Sequence, residues 1–206
     1  MAQVQFVNVP GVGRVRLGDY VHTRLRGAIR PATTQSADLF FFRHSAGDQI
    51  QGGGATDLLT EYDTNIQQKD GLPPGWAAMV YFLSVECQSD ITLADIQDLN
   101  RKTLFTLVIG SINKTLDDGH LIHYGQGGGV AGATTANNQQ AWTNGVAAGG
   151  ARTAYAVPHF IPSKPRLPFT VRTSWPGSAG GSAALAQGVR SNLWCNLEGI
   201  VRLPVG

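Results

Sequence analysis

The apolar residues of this chain come in short β-rich runs, and most runs are bounded by glycine or proline. Leu39-Phe40-Phe41-Phe42 is followed by the turn-forming Ser45-Ala46-Gly47-Asp48, and the strand at 79–85 is preceded by Asp70-Gly71-Leu72-Pro73-Pro74-Gly75. Glycine permits positive φ and proline fixes its own, so such boundaries turn the chain rather than extend an element. Residues 104–112, 155–160, 169–175 and 193–203 read as further strands, with Pro162, Pro165, Pro168 and Pro176 where strands end. Val21, Thr23 and Leu25 alternate with His22, Arg24 and Arg26, which places an apolar set and a basic set on opposite faces of one strand. Residues 104–112 and 120–124, separated by the polar 113–119, read as a hairpin. The pattern supports one convincing helix, over 92–99. Thr92 is its N-cap, Asp95 closes a capping box, and Leu93, Ile96 and Leu99 share its buried side. Leu58, Leu59, Tyr62 and Ile66 suit either a short helix or a loop. Many short strands with one helix predict an all-β antiparallel sandwich in a single domain, 1–206.

What the surface of such a sandwich does is constrained by charge. Only 15% of the 206 residues are charged, against about one-quarter in an average globular chain. Interface centres are depleted in charge, so a chain of this kind is expected to hide much of its exterior against copies of itself. A monomer coated with Ser, Thr, Asn and Gln is the alternative. Residues 125–151 hold eight glycines and no charge, which predicts a long loop meeting a neighbouring subunit, with Gly127, Gly128, Gly129 and Trp142 as its candidate contacts. Residues 1–31 instead carry Arg14, Arg16, Arg24, Arg26 and Arg30 against the single acid Asp19. That basic N-terminal segment is a candidate for touching phosphate, on nucleic acid or on a lipid headgroup; an ordinary solvated strand face is the competing reading. The first ten residues lack the basic and apolar regions of a secretory signal, which predicts synthesis in a cytoplasm. No apolar run approaches the roughly 20 residues of a membrane-spanning helix. Cys87 and Cys195 each sit in an apolar run and read as buried free thiols.

The search for reaction chemistry finds no machinery. Gly127-Gly128-Gly129-Val130-Ala131-Gly132 has dinucleotide-loop spacing, but no acid lies between Asp118 and Glu198 to hold a ribose. None of the four lysines, Lys69, Lys102, Lys114 and Lys164, ends a phosphate-binding loop, and no G-x-S-x-G elbow is present. His120 and His123, three apart on the expected strand, would point to opposite faces, which weakens a cupin-like metal enzyme; His44 or His159 could converge with one of them only in three dimensions. Asp117 with Asp118, and Glu61 with Asp63, read as turn and surface carboxylates. Neither a cofactor nor a small-molecule substrate is expected, and the function class that remains is binding or structural.

Three stretches, taken in order, carry a resemblance. They are Thr64-Asn65-Ile66 through Gly71-Leu72-Pro73-Pro74-Gly75-Trp76 to Val80-Tyr81-Phe82-Leu83; then Leu107-Val108-Ile109-Gly110 through Gly119-His120-Leu121-Ile122-His123-Tyr124 to the glycine run at 127–132; and the ending Leu197-Glu198-Gly199-Ile200-Val201-Arg202-Leu203-Pro204-Val205. Together, over about residues 60–132 and 165–206, the chain resembles the major capsid proteins of tailless icosahedral prokaryotic viruses, including bacteriophages, whose jelly rolls stand upright on the shell. The best-known members carry two sandwiches per chain, whereas this length and about eight strand candidates leave room for one. The resemblance therefore implies a single jelly roll that self-assembles into capsomers with copies of itself and with other capsid proteins, located in the virion. The basic segment would face inward, towards genome or an internal membrane. A jelly-roll carbohydrate- or receptor-binding module forming a small oligomer is the alternative, with Trp76, Trp142, Trp175 and Trp194 as candidate stacking faces and core packing as the duller role for at least two of them.

Overall fold

The computed structural model of the chain describes residues 6–9, 13–16, 20–32, 37–67, 71–87, 91–110, 114–124, 131–134, 140–143, 155, 158–161, 168–176 and 192–202. Two four-stranded antiparallel sheets form a sandwich. The first runs in the order β10 (His159–Ile161), β5 (Ala77–Cys87), β12 (Leu193–Arg202), β3 (Tyr20–Ile29). The second runs β4 (Leu39–Phe40), β11 (Phe169–Ser174), β6 (Leu104–Ile109), β7 (Lys114–Gly119). Two further hairpins stand outside these sheets: β1 (Phe6–Val9) with β2 (Gly13–Arg16), and β8 (Ala131–Thr134) with β9 (Gln140–Thr143).

The alternation seen in the sequence builds the core. Leu25 and Ile29 of β3, Leu83 and Val85 of β5, and Leu193, Cys195 and Leu197 of β12 pack with Phe105 and Leu107 of β6 and Phe169 and Val171 of β11. Burying each such side chain contributes about 1.5–3 kcal/mol, so this inter-sheet layer supplies the main driving force. β12 and β5 pair along almost their whole length, with a bulge between Glu198 and Gly199. A Cβ on Gly199 would lie 1.8 Å from the Met79 carbonyl oxygen, so the bulge requires glycine.

α1 (Leu93–Lys102) forms as its caps predict. The Thr92 hydroxyl accepts from the Asp95 N–H at 3.2 Å and donates to the Asp95 carboxylate at 2.7 Å, while Ile96 and Leu99 are buried. The side chain of Leu93 lies outside the described residues.

Several expectations are corrected. Within the polar 113–119, residues 114–119 are not a turn: they form β7, whose acidic residues suit an outermost strand. Residues 120–124, expected as a strand, instead contain the helical turn α2 (Leu121–Tyr124), because Leu121 and Tyr124, three apart, both reach the core. No helix forms over 58–66. Leu59 and Ile66 are buried there, but Leu58 and Tyr62 are exposed, so the segment folds as turns. Of Leu39-Phe40-Phe41-Phe42 only the first two pair as β4. Phe41 still donates its N–H to the Val171 carbonyl at 3.0 Å, and both it and Phe42 stay buried, Phe42 with a φ of 65° and its backbone so close to β3 that a Cβ on Gly27 would lie 2.8 Å from its nitrogen. Residues 125–151 are not loop throughout, since β8 and β9 lie within them. The strand expected at 155–160 is narrower, β10 pairing with β5 only at 159–161. The apolar face of β3 is buried from Leu25 onward, leaving Val21 exposed.

Candidate functional site

The five N-terminal arginines divide by strand. Arg14 and Arg16 are exposed on β2, and the Arg14 guanidinium lies 4.7 Å from the Phe6 ring centre across the hairpin. Arg24 and Arg26 on β3, and Arg30 just past its end, turn towards the chain's own acids, carbonyls and amides. Arg24 sits opposite Glu198 in the β3–β12 register, bonds it at 2.8 Å, and lies 3.7 Å from Glu86; Glu86 also accepts from the Asn196 amide at 3.0 Å. Arg26 donates to the Tyr62 carbonyl at 2.8 Å with its guanidinium over the Tyr62 ring. Arg30 pairs with Asp57 at 2.8 Å and donates to the Asn192 side chain at 2.9 Å.

Tyr62 and Asp57 come from the long β4–β5 connection, which lies against the outer side of the first sheet. Ile50 and Leu59 pack on Ala28 with Trp194, and Tyr62 meets Trp194 edge-on. The Asn65 side chain pairs with the outer edge of β3: its Oδ1 accepts from the Arg26 N–H at 2.7 Å and its Nδ2 donates to the Arg24 carbonyl at 2.5 Å. Asp63 anchors the connection, accepting from Thr60 N–H at 3.0 Å, the Thr60 hydroxyl at 2.7 Å, the Asn192 amide at 2.8 Å and the Trp194 indole N–H at 3.1 Å. Burial alone would raise its proton affinity; the bonds from Thr60, Trp194 and Asn192 more than offset that and hold it below the ordinary carboxylate value. Asp63 is thus a buried structural acceptor, not the wet surface carboxylate that the sequence suggested.

Gly127, Gly128 and Gly129 lie outside the described residues. Trp142 stands in β9 opposite Gly132, and its side chain also lies outside them. Trp175 is buried in the core, Trp76 packs against it, and Trp194 is held between the sheet and Tyr62.

A second polar centre is a cleft of about 360 Å³ at the β7 side of the sandwich, lined by Leu83, Asp117, Asp118, Gly119, His123, Tyr124 and Tyr155. The Tyr155 hydroxyl donates to Asp117 at 2.6 Å, and the His159 ring centre lies 4.3 Å from that of Tyr155. Burial, reinforced by Asp117, pushes the Tyr124 and Tyr155 phenols far above their ordinary values, and burial lowers the proton affinity of His159. The two buried thiols, neither of them in a disulfide, are shifted upward likewise by desolvation, Cys87 up to about 12. Tyr155 accordingly makes its bond to Asp117 as a neutral phenol.

His120 and His123 do not share a strand: His120 precedes α2 and His123 lies within it, with ring centres 6.5 Å apart. His120 bonds the Thr103 carbonyl at 2.7 Å and His44 lies beside Gln51 at 3.1 Å. Among the described residues no three His, Cys, Asp or Glu side chains are grouped to hold a metal ion. Among them also, no helix is long and apolar enough to cross a membrane.

Sequence reasoning missed Glu86 and Glu198 as partners of Arg24. Their signal was present: each is a lone acid inside an apolar strand run, Val85-Glu86-Cys87 and Leu197-Glu198-Gly199, where a carboxylate needs a cation. Asn65 and Asp63 gave no signal, since turn residues of their type are common. Comparison of the chain with protein-family models, with curated proteins and with solved structures returned no match. What the fold defines by itself is an antiparallel β-sandwich.

Proposed function

We propose that the chain is a capsid subunit, a single jelly roll that tiles with copies of itself and with other capsid proteins into an icosahedral viral shell. The observation that carries this reading is the strand order. Counting β3, β4, β5, β6, β7, β10, β11 and β12 as one to eight, the first sheet reads 1-8-3-6 and the second 2-7-4-5. Among these eight strands the chain changes sheet at every connection except β6 to β7, an order that supports the jelly-roll path of two interlocked Greek keys. The low charge content supports burial of the exterior between copies, and symmetric closure multiplies weak contacts into a stable shell. Its work on this reading is geometric rather than catalytic, carried out in the virion after synthesis in a host cytoplasm.

The inward basic arm is drawn more narrowly than in the sequence. Arg24, Arg26 and Arg30 hold the subunit together, so contact with genome or an internal membrane falls to Arg14 and Arg16 on the β1–β2 hairpin. The carbohydrate-binding alternative gains nothing from Trp76, Trp175 and Trp194, whose rings are drawn into packing.

Sedimentation of the purified full-length chain across a concentration series tests the proposal. Concentration-dependent growth to capsomers and larger closed particles is the expected result. A monomer, or a small oligomer that does not grow at any concentration and binds glycans, would overturn it.

A further inference from the structure

The cleft beside β7 has the chemistry of a receptor for one particular kind of side chain. β7 is the outermost strand of its sheet, and Tyr155 spans from it to the other sheet, its hydroxyl on Asp117 and its N–H on the Tyr81 carbonyl at 2.9 Å. The opening is therefore flanked by the Tyr124 and Tyr155 rings and by Leu83, with Asp117 and the exposed Asp118 on one wall. Asp117 accepts from the Tyr155 hydroxyl and also serves the Tyr124 phenol, and a carboxylate offers about four lone-pair positions, so acceptor capacity for a further donor remains. Aromatic faces and carboxylates around an apolar recess favour a flat, weakly hydrated cation on an aliphatic stem, which describes arginine better than lysine.

The same molecule carries a matching donor. The β1–β2 hairpin is basic, and no strand of either sheet pairs with it among the described residues. Arg14 folds over Phe6 of its own hairpin, whereas Arg16 is exposed at the end of β2. On this point the two halves of the chain are complementary, the first 31 residues being basic and the remainder net acidic.

We infer that the Asp117–Tyr155 cleft receives the Arg16 guanidinium of a neighbouring copy, so that the N-terminal hairpin is a strap between subunits. The inference rests on the shell-forming reading and adds to it a defined contact. It also gives the hairpin a protein partner in place of genome or membrane at Arg16.

Charge reversal tests it. In the full-length chain, Arg16→Asp and Asp118→Arg should each weaken self-association by about tenfold, and the double variant should recover most of the loss. Asp118 is exposed, so its replacement leaves the fold intact. Wild-type assembly that neither single variant disturbs would overturn the strap while leaving the shell-forming reading in place. A second measurement is independent of assembly: a synthetic peptide of residues 6–16 is titrated onto full-length Arg16→Asp protein, with the His123 and Tyr124 resonances followed. Saturable shifts at those residues support the cleft even if the wild-type chain is monomeric, the result that would sink the shell reading. Absence of shifts overturns it. Binding of N-acetyl-arginine amide as tight as the peptide, together with normal association of Arg16→Asp, would mark a site for free small cations and overturn the hairpin as its occupant.

Discussion

Arg14-Val15-Arg16 and Arg24-Leu25-Arg26 are the same pattern ten residues apart, and they come to opposite ends. On β3 the arginines are absorbed: Glu198 and Glu86 hold Arg24, and Tyr62 holds Arg26. On β2 they face solvent on a hairpin that belongs to neither sheet. Alternation therefore says which side chains share a face, but not what lies against that face. The difference is made at long range, because Glu86, Glu198 and Tyr62 arrive from β5, β12 and the β4–β5 connection. A basic strand beside a carboxylate-bearing neighbour is structural; the same strand without one is available for a partner.

This contrast can be broken or sharpened by substitution, and the largest effect is expected where β12 is fitted between β3 and β5. Gly199→Ala should destabilise the fold by about 4 kcal/mol or more, since the new Cβ would meet the Met79 carbonyl, and urea denaturation measures it. Asp63→Ala should cost about 3 kcal/mol by leaving the buried Asn192 amide and the Trp194 indole N–H without their acceptor. The pH dependence has a definite sign. The Asp63 proton affinity is depressed in the fold, so its contribution is fully present above the ordinary carboxylate value of 3.8 and is lost as pH falls through the folded-state value. Acid denaturation followed by tryptophan fluorescence should accordingly be shallower in Asp63→Ala. Glu198→Gln, which removes the charge opposite a partly exposed Arg24, should cost about 1–2 kcal/mol in denaturant midpoint measurements. Arg14→Ala with Arg16→Ala should change stability by less than about 0.5 kcal/mol in the same measurement. A loss as large as that of Glu198→Gln would erase the distinction between the two strands.

Much of the sandwich was legible in sequence because its signals are local. The caps of α1 reside in Thr92 and Asp95, three residues apart, and the alternation of β12 follows directly from Leu193, Cys195 and Leu197. The errors fell where tertiary packing overrode local preference. Leu121-Ile122-His123-Tyr124 has strand composition yet turns helically to bury Leu121 and Tyr124. The polar 114–119 has turn composition yet pairs with β6. The site was less legible than the fold, since the Asn192 and Trp194 donors to Asp63 and the bond from Tyr155 to Asp117 join residues 38 to 131 positions apart.

The central claim, that this sandwich is a shell-building unit, is tested most directly by electron microscopy of the concentrated, purified full-length chain. The account predicts closed icosahedral particles or the capsomers that build them, with the two sheets standing upright on the shell. A field of single, unassociated molecules under every assembly condition would contradict it.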